Sequence, residues 1–291
     1  MSDVQNTVNT VLVVGAGTMG NGIAQVCAQA GMTVTLTDVS PAVLERGMQN
    51  IGKSLSKLVE KGKLDGAAKD ATLGRIAAAG DTSAAAGADL IVEAIPERME
   101  LKVALFRELS AKAPAHALLG TNTSSLSVTE IAGAATDPSR VIGLHFFNPV
   151  PVMELLEIVR GLTTSEATLD RAQAFATAIG KKAIVVKDFP GFATSRLGVM
   201  LGCEAIRMLE QGVASAADID TAMKLGYRHP MGPLELTDLV GLDVRLAILD
   251  HLHREVGEQF RAPALLRQMV RAGYLGRKSG RGFYEYPDTK K

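Results

Sequence analysis

Cysteine occurs only twice in the 291 residues, at Cys27 and Cys203, and neither stands in a CxxC pair or at metal-ligand spacing from a histidine. A disulfide-stapled fold is excluded, and no metal site is expected. Both thiols fall inside apolar helical patterns and read as buried groups of a reducing compartment. Net charge is lacking too: 31 Lys and Arg balance 31 Asp and Glu. No bulk field therefore draws the chain to nucleic acid or to an anionic membrane. No apolar run is long enough to cross a bilayer. The opening segment MSDVQNTVNTVLVVGAG carries an acid and no base before an apolar run that breaks at Gly15. That is not the form of a secretory signal, and the expected location is the cytoplasm.

Glycine, by contrast, is plentiful at 29 residues, gathered at turns and helix ends. The first half alternates short β-branched runs with helical patterns: Val11 to Val14 and then a helix to Gln29, Thr33 to Thr37 and a helix, Leu90 to Ile95 and a helix. Such alternation predicts βαβ units around a parallel sheet. Further strands are expected at Ala117 to Gly120, Val141 to Phe147, Leu155 to Val159 and Ala183 to Val186. Ser40 before Pro41 reads as a helix cap followed by proline in the first turn. The connection from Thr37 to Leu90 is oversized and holds two helical patterns, 41–61 and 67–78, expected to project as a helical hairpin.

After Val186 the strand signal stops, and Lys187 to Gly191 mark a boundary. The expectation is an α/β fold. Residues 1–187 form a Rossmann-type dinucleotide-binding domain with the hairpin inserted, and residues 188–291 form an all-α domain that contributes to a substrate cleft and to dimerisation. Within the latter, positions 197, 199–201, 203, 205, 206, 208 and 209 are apolar, too many for one helical stripe. Either the first domain covers this helix or it is the interface of a homodimer.

Gly15-Ala16-Gly17-Thr18-Met19-Gly20 follows the first strand and opens the first helix. Gly15 permits a tight turn, Gly17 a close approach of backbone to a pyrophosphate, and Gly20 close packing of the helix, whose N–H groups meet the phosphate charge. Asp38 ends the next strand, where a carboxylate accepts ribose hydroxyls and repels a 2′-phosphate. No arginine follows before Arg46, so NAD is favoured over NADP.

Ligands of open α/β sheets bind beyond the carboxyl ends of strands. Asn122, Ser124 and Ser125 stand there after the expected strand Ala117 to Gly120, and His145 to Pro149 at the end of the next, with Glu157 in the strand after that. A histidine held by a carboxylate is an oriented acid and base. In an apolar run His145 would otherwise be a packed core residue; its place at a strand end beside a dinucleotide loop favours chemistry. His251 and His253 read as solvated, and His116 and His229 have no partner visible in the sequence. Ser54, Lys57 and Lys61 share a helix face, and Lys102 follows Glu97. Lysines so arranged are a solvated face, unless the substrate carries phosphates.

These residues converge. VGAGTMGNGIAQ at 14–25, VEAIPE at 92–97, TNTSSLSVTEIA at 121–132, IGLHFFNPVPVMELLEIVRG at 142–161, PGF at 190–192, MGPLELTDLVGLD at 231–243 and GRKSGRGFYEY at 276–286 resemble the L-3-hydroxyacyl-CoA dehydrogenases, above all the bacterial 3-hydroxybutyryl-CoA dehydrogenases. The resemblance implies an enzyme that interconverts a short-chain 3-hydroxyacyl-CoA and its 3-oxoacyl-CoA with NAD. It places Gly15, Gly17, Thr18, Met19, Gly20 and Asp38 at the cofactor, with Glu97, Lys102, Ser124, Asn148 and Lys278 toward its nicotinamide end. Ser54, Lys61, Lys102 and Ser124 fall at substrate-binding positions, and Ser124, His145 and Glu157 at catalytic ones. The fourth catalytic position of the family is an asparagine in PGFxxNR; here it is Ser195, within Pro190-Gly191-Phe192-Ala193-Thr194-Ser195-Arg196. Two rival functions stay open on the sequence: a dehydrogenase of a hydroxy acid without CoA, and an NAD-binding protein without catalysis.

Overall fold

The computed structural model describes residues 8–287. It divides into two compact units after Phe189, inside the Lys187 to Gly191 segment.

The first unit runs β1 (Thr10–Val14), α1 (Thr18–Gln29), β2 (Thr33–Thr37), α2 (Pro41–Glu60), α3 (Gly66–Gly74), β3 (Ile76–Ala79), β4 (Leu90–Glu93), α4 (Met99–Lys112), β5 (Leu118–Thr121), α5 (Val128–Ala132), β6 (Val141–Phe146), β7 (Leu155–Arg160), α6 (Glu166–Ala178) and β8 (Lys182–Lys187). Its eight strands form one sheet in the order β3-β2-β1-β4-β5-β6-β7-β8. The pairing is parallel from β3 to β6; β7 lies antiparallel to β6, and β8 pairs parallel with β7. Strand order reverses between β1 and β4, the switch point at which such sheets open a crevice. Leu12, Val13, Leu90, Val92 and Leu144 have no exposed surface, as strands covered by helices on both faces require.

Two expectations about the long connection need correction. Residues 76–79 belong to no helix: α3 ends at Gly74 and Ile76–Ala79 forms an edge strand beside β2. Its three alanines favour helix intrinsically, and pairing with β2 overrides that preference. Nor does the hairpin project freely. Gly47 of α2 lies so close to the glycine loop that a Cβ there would stand 2.7 Å from the Ala16 carbonyl oxygen, and Ile51 and Leu55 are wholly buried. Truncating either side chain to alanine would cost about 2–5 kcal/mol, so α2 is a fixed wall of the first unit. Ser40 caps it as expected, accepting from the Val43 N–H with Pro41 in the first turn.

The second unit comprises α7 (Thr194–Glu210), α8 (Ala216–Gly226), α9 (Pro233–Val240), α10 (Leu242–Glu255) and α11 (Ala264–Arg271). Val199, Cys203, Ile206, Leu234, Leu249, Leu252, Phe260 and Leu266 make its core. Two buried aspartates stitch it together. Asp220 accepts from the N–H groups of Leu234 and Glu235 at the start of α9 and from the Tyr284 hydroxyl. Asp238 accepts from the N–H groups of Phe283 and Tyr284 and from the Tyr286 hydroxyl. The MGPLELTD and GRGFYEY motifs are therefore two halves of one structural contact. Burial, with Asp220 adding to it, raises the Asp238 carboxyl above its ordinary range.

Candidate active site

The glycine loop after β1 is shaped as its sequence requires. Gly15 has φ +102°, and a Cβ on it would stand 2.5 Å from the Ala94 carbonyl oxygen; one on Gly20 would strike the Gly15 carbonyl oxygen. At Gly17 a Cβ would meet nothing within 4 Å. That side of the loop is open, as a pyrophosphate needs, and it leads into the N-terminus of α1, so the residues present fit a dinucleotide. Beside it, Asp38 follows β2. One carboxylate oxygen accepts from the Ala16 N–H at 2.9 Å and the other from the Ser40 N–H at 2.9 Å. Each oxygen keeps lone pairs for ribose hydroxyls, so Asp38 both braces the loop and marks the ribose end. Thr18 and Met19 open α1 directly after it.

Across the switch point, the ends of β4 and β5 carry a polar network that the sequence did not announce. Glu93, the last residue of β4, and Lys102, one turn into α4, are both wholly buried, with Lys102 Nζ 2.6 Å from Glu93 Oε1. Glu93 also accepts from the Ile95 N–H and the Thr121 hydroxyl. Lys102 reaches a second carboxylate, Glu97, at 3.3 Å. Glu97 Oε1 in turn accepts from the Thr123 hydroxyl at 2.6 Å, the Ser124 N–H at 2.8 Å and the Ser125 N–H at 3.1 Å. Burial opposes the Glu97 charge, but the Lys102 ammonium and these hydrogen bonds outweigh it and hold the carboxyl below its ordinary value. The position of Lys102 corrects the picture of an exposed phosphate handle, since its charge is committed to two glutamates. Thr123 and Glu93 were missed in the sequence; a glutamate ending a buried apolar strand was the available signal.

His145 and Glu157 are direct cross-strand partners of β6 and β7. Nδ1 lies 2.7 Å from Glu157 Oε2, with the imidazole nearly buried and the carboxylate fully so. The strand end that bears the histidine is fixed by Asn122, whose side-chain oxygen accepts from the Phe146 N–H at 2.9 Å. The Phe147 ring leans on the imidazole at 4.5 Å between centroids, and Asn148 stands exposed just beyond. A carboxylate on Nδ1 fixes the tautomer and leaves proton exchange to Nε2.

On α2, Ser54 is half-buried and Lys61 exposed directly after the helix ends. The groove between α2 and α3 is lined by Lys53, Ser56 and Lys57 with Lys69, so of the expected row it takes in Lys57 but not Ser54 or Lys61. Ser195 is the second residue of α7, entered through a turn in which Gly191 and Phe192 both take positive φ. Lys278 pairs with Asp243 at 2.7 Å. His116, read as partnerless, lies 3.2 Å from Asp89, and His253, read as solvated, 2.9 Å from Glu258. Among the described residues no helix is long and apolar enough to cross a membrane.

Comparison with known proteins agrees with this geometry. The profile of the 3-hydroxyacyl-CoA dehydrogenase NAD-binding domain matches residues 10–189, and that of the 3-hydroxyacyl-CoA dehydrogenase C-terminal domain matches residues 191–286. A probable 3-hydroxybutyryl-CoA dehydrogenase of Bacillus subtilis is 46% identical over 97% of this chain and 98% of its own. The 3-hydroxybutyryl-CoA dehydrogenase of Bradyrhizobium diazoefficiens is 44% identical over 97% of each chain. The crystal structure of (S)-3-hydroxybutyryl-CoA dehydrogenase from Ralstonia eutropha superposes with a TM-score of 0.94 at 43% identity, covering 96% of this chain and 99% of that one.

Proposed function

We propose, from the fact that the chain belongs to the 3-hydroxyacyl-CoA dehydrogenase family, that it interconverts a short-chain (S)-3-hydroxyacyl-CoA, 3-hydroxybutyryl-CoA foremost, and the matching 3-oxoacyl-CoA with NAD. The observation that carries this reading is the buried His145–Glu157 pair on the same sheet as an open dinucleotide loop. The hydride chemistry at substrate C3 is what NAD supplies when bound to the glycine loop and Asp38. In oxidation, His145 takes the 3-hydroxyl proton on Nε2, and Glu157 stabilises the imidazolium through Nδ1–H. In reduction, the same nitrogen returns the proton to the forming alkoxide. Ser124, held by Glu97 through its N–H, hydrogen-bonds the substrate oxygen and orients C3. Ser54 and Lys61 are assigned to the CoA moiety, Asn148 and Lys278 to the cofactor. The second unit is assigned substrate contacts of its own and a homodimer interface, and the enzyme is assigned to the cytoplasm.

Rates of NADH oxidation with acetoacetyl-CoA, longer 3-oxoacyl-CoAs and free acetoacetate test this. Acetoacetyl-CoA is expected to be fastest and the free acid slower by about two orders of magnitude, the loss of roughly 2.7 kcal/mol of binding to the CoA portion. NADPH should be the poorer cofactor, and Asp38→Ala should narrow that gap. Turnover on the free acid alone, or on no acyl-CoA at all, overturns the assignment. Ser195 is the distinctive position. Its hydroxyl is shorter than the family's amide and reaches a substrate oxygen through a water or a small shift of backbone. Ser195→Ala should therefore lower turnover about tenfold, the size of one modest hydrogen bond. An inactive parent revived by Ser195→Asn would defeat the proposed activity while leaving the family intact.

A further inference from the structure

Two carboxylates and one ammonium stand together at the ends of β4 and β5, and the sum of their charges is one negative charge. We propose that Glu93, Lys102 and Glu97 form a charge unit that favours the oxidised cofactor over the reduced one, with Glu93 as a positioning residue that acts through Lys102. The proposal rests on the dehydrogenase reading above.

The first two strands fix where the cofactor begins. Asp38 marks the ribose end at β2 and the glycine loop marks the pyrophosphate at β1, so the dinucleotide continues over the switch point toward β4 and β5. The loop and the end of β4 are in close contact: Gly15 has room for no side chain against the Ala94 carbonyl, the group directly after Glu93. The nicotinamide ring is cationic in NAD⁺ and neutral in NADH, whereas the rest of the molecule is the same. A fixed negative charge under that half therefore changes the ratio of the two affinities, and a defect in packing changes both together.

Glu93 is enclosed by donors. Its two oxygens receive an N–H from Ile95, an O–H from Thr121 and the Lys102 ammonium, all of them donors, which is what a carboxylate and not a carboxylic acid asks for. With no exposed surface, it has no access to substrate or cofactor. What it does is cancel the Lys102 charge, so that the negative charge of Glu97 is felt undiminished. Without Glu93, Lys102 and Glu97 would neutralise each other and the unit would carry none.

Dissociation constants for NAD⁺ and NADH, from fluorescence titration and calorimetry, test this with no turnover measured. In Glu93→Gln the ratio Kd(NADH)/Kd(NAD⁺) should fall roughly tenfold, the effect of one unit charge at short range in a partly screened site. The double variant Glu93→Gln/Lys102→Gln keeps the single negative charge of Glu97, and its ratio should return to within about threefold of the parent, roughly 0.7 kcal/mol. Glu97→Gln removes the same charge from the other end and should move the ratio the same way. If Glu93→Gln does not fold by circular dichroism, Glu97→Gln and Glu97→Gln/Lys102→Gln carry the comparison. Equal weakening of both cofactors, or a double variant no closer to the parent than the single, overturns the proposal. A parent that binds neither cofactor defeats the dehydrogenase reading itself; a parent that binds both with an unmoved ratio in every variant defeats this inference alone.

Discussion

The His145–Glu157 pair and the Glu93–Lys102–Glu97 unit are built on one sheet, the first buried and the second buried except at Glu97, yet they serve opposite purposes. In the pair, Nδ1 of His145 meets Oε2 of Glu157 at 2.7 Å between adjacent strands. That contact orients the imidazole through Nδ1. The larger unit has three members drawn from a strand, a loop and a helix, and each of its carboxylates collects several donors. Every one of those partners is a donor, the set that a carboxylate accepts from. The pair orients an imidazole, and the larger unit is held at every carboxylate oxygen.

Breaking the first of these should have the largest effect on activity. His145→Gln keeps a polar side chain of similar reach but cannot carry the proton, and kcat with acetoacetyl-CoA should fall about 10³-fold, within the range of general acid–base catalysis. NADH affinity should stay within about twofold, since the loop and Asp38 are untouched. A parallel loss of NADH binding would mean that His145 packs the sheet rather than reacting. Glu157→Gln should cost less, about 10²-fold, because the amide oxygen still accepts from Nδ1–H while the charge that stabilises the imidazolium is gone. Breaking the second constellation should instead appear in stability. Lys102→Met leaves two carboxylates facing a buried gap, and removing one partner of a buried ion pair costs about 3–5 kcal/mol. A urea midpoint unchanged from the parent would show that the ammonium is dispensable to the fold.

The same contrast explains what the sequence discloses. The glycine loop, Asp38 and the β6–β7 pair are local: each is a strand end and the residues a short distance along the chain, so period and spacing place them before any tertiary contact is known. His145 and Glu157 meet because a hairpin returns the second strand beside the first, and twelve residues separate them. Lys102 is different. A lysine in the early part of an amphipathic helix reads as solvent-facing, and only the packing of α4 against the end of β4 turns it inward between Glu93 and Glu97. Residues 76–79 were opaque for a related reason, since an alanine run takes its conformation from a neighbouring strand. Asp238 lies in a motif that marks the family and Asp220 outside any, and their role as acceptors for distant backbone groups appears only when α8, α9 and the 276–286 segment are assembled. Ser195 was identified by resemblance alone, because an asparagine-to-serine difference leaves no periodic trace.

The smallest expected effect concerns Glu97, where the two kinds of site are most easily told apart by acid. Burial works against its charge, yet Lys102 and the hydrogen bonds from Thr123 and Ser124 hold the folded carboxyl below its ordinary value of 4.5. A group whose folded value is depressed stabilises the fold fully above the unfolded value and ceases to do so as pH falls through the folded one. Glu97 should thus contribute nothing to pH dependence near neutrality and should steepen the loss of stability below about pH 4.5, the onset set by its ordinary value. Because a third of its side chain is open to solvent, the contribution is damped by screening. Chemical denaturation of the parent and of Glu97→Gln between pH 3 and 7 checks it: the variant should lose less stability across the acid limb, and the two curves should run parallel above pH 6. Parallel curves throughout would place the acid sensitivity elsewhere and leave the Ser124 loop held by its own turn rather than by the carboxylate.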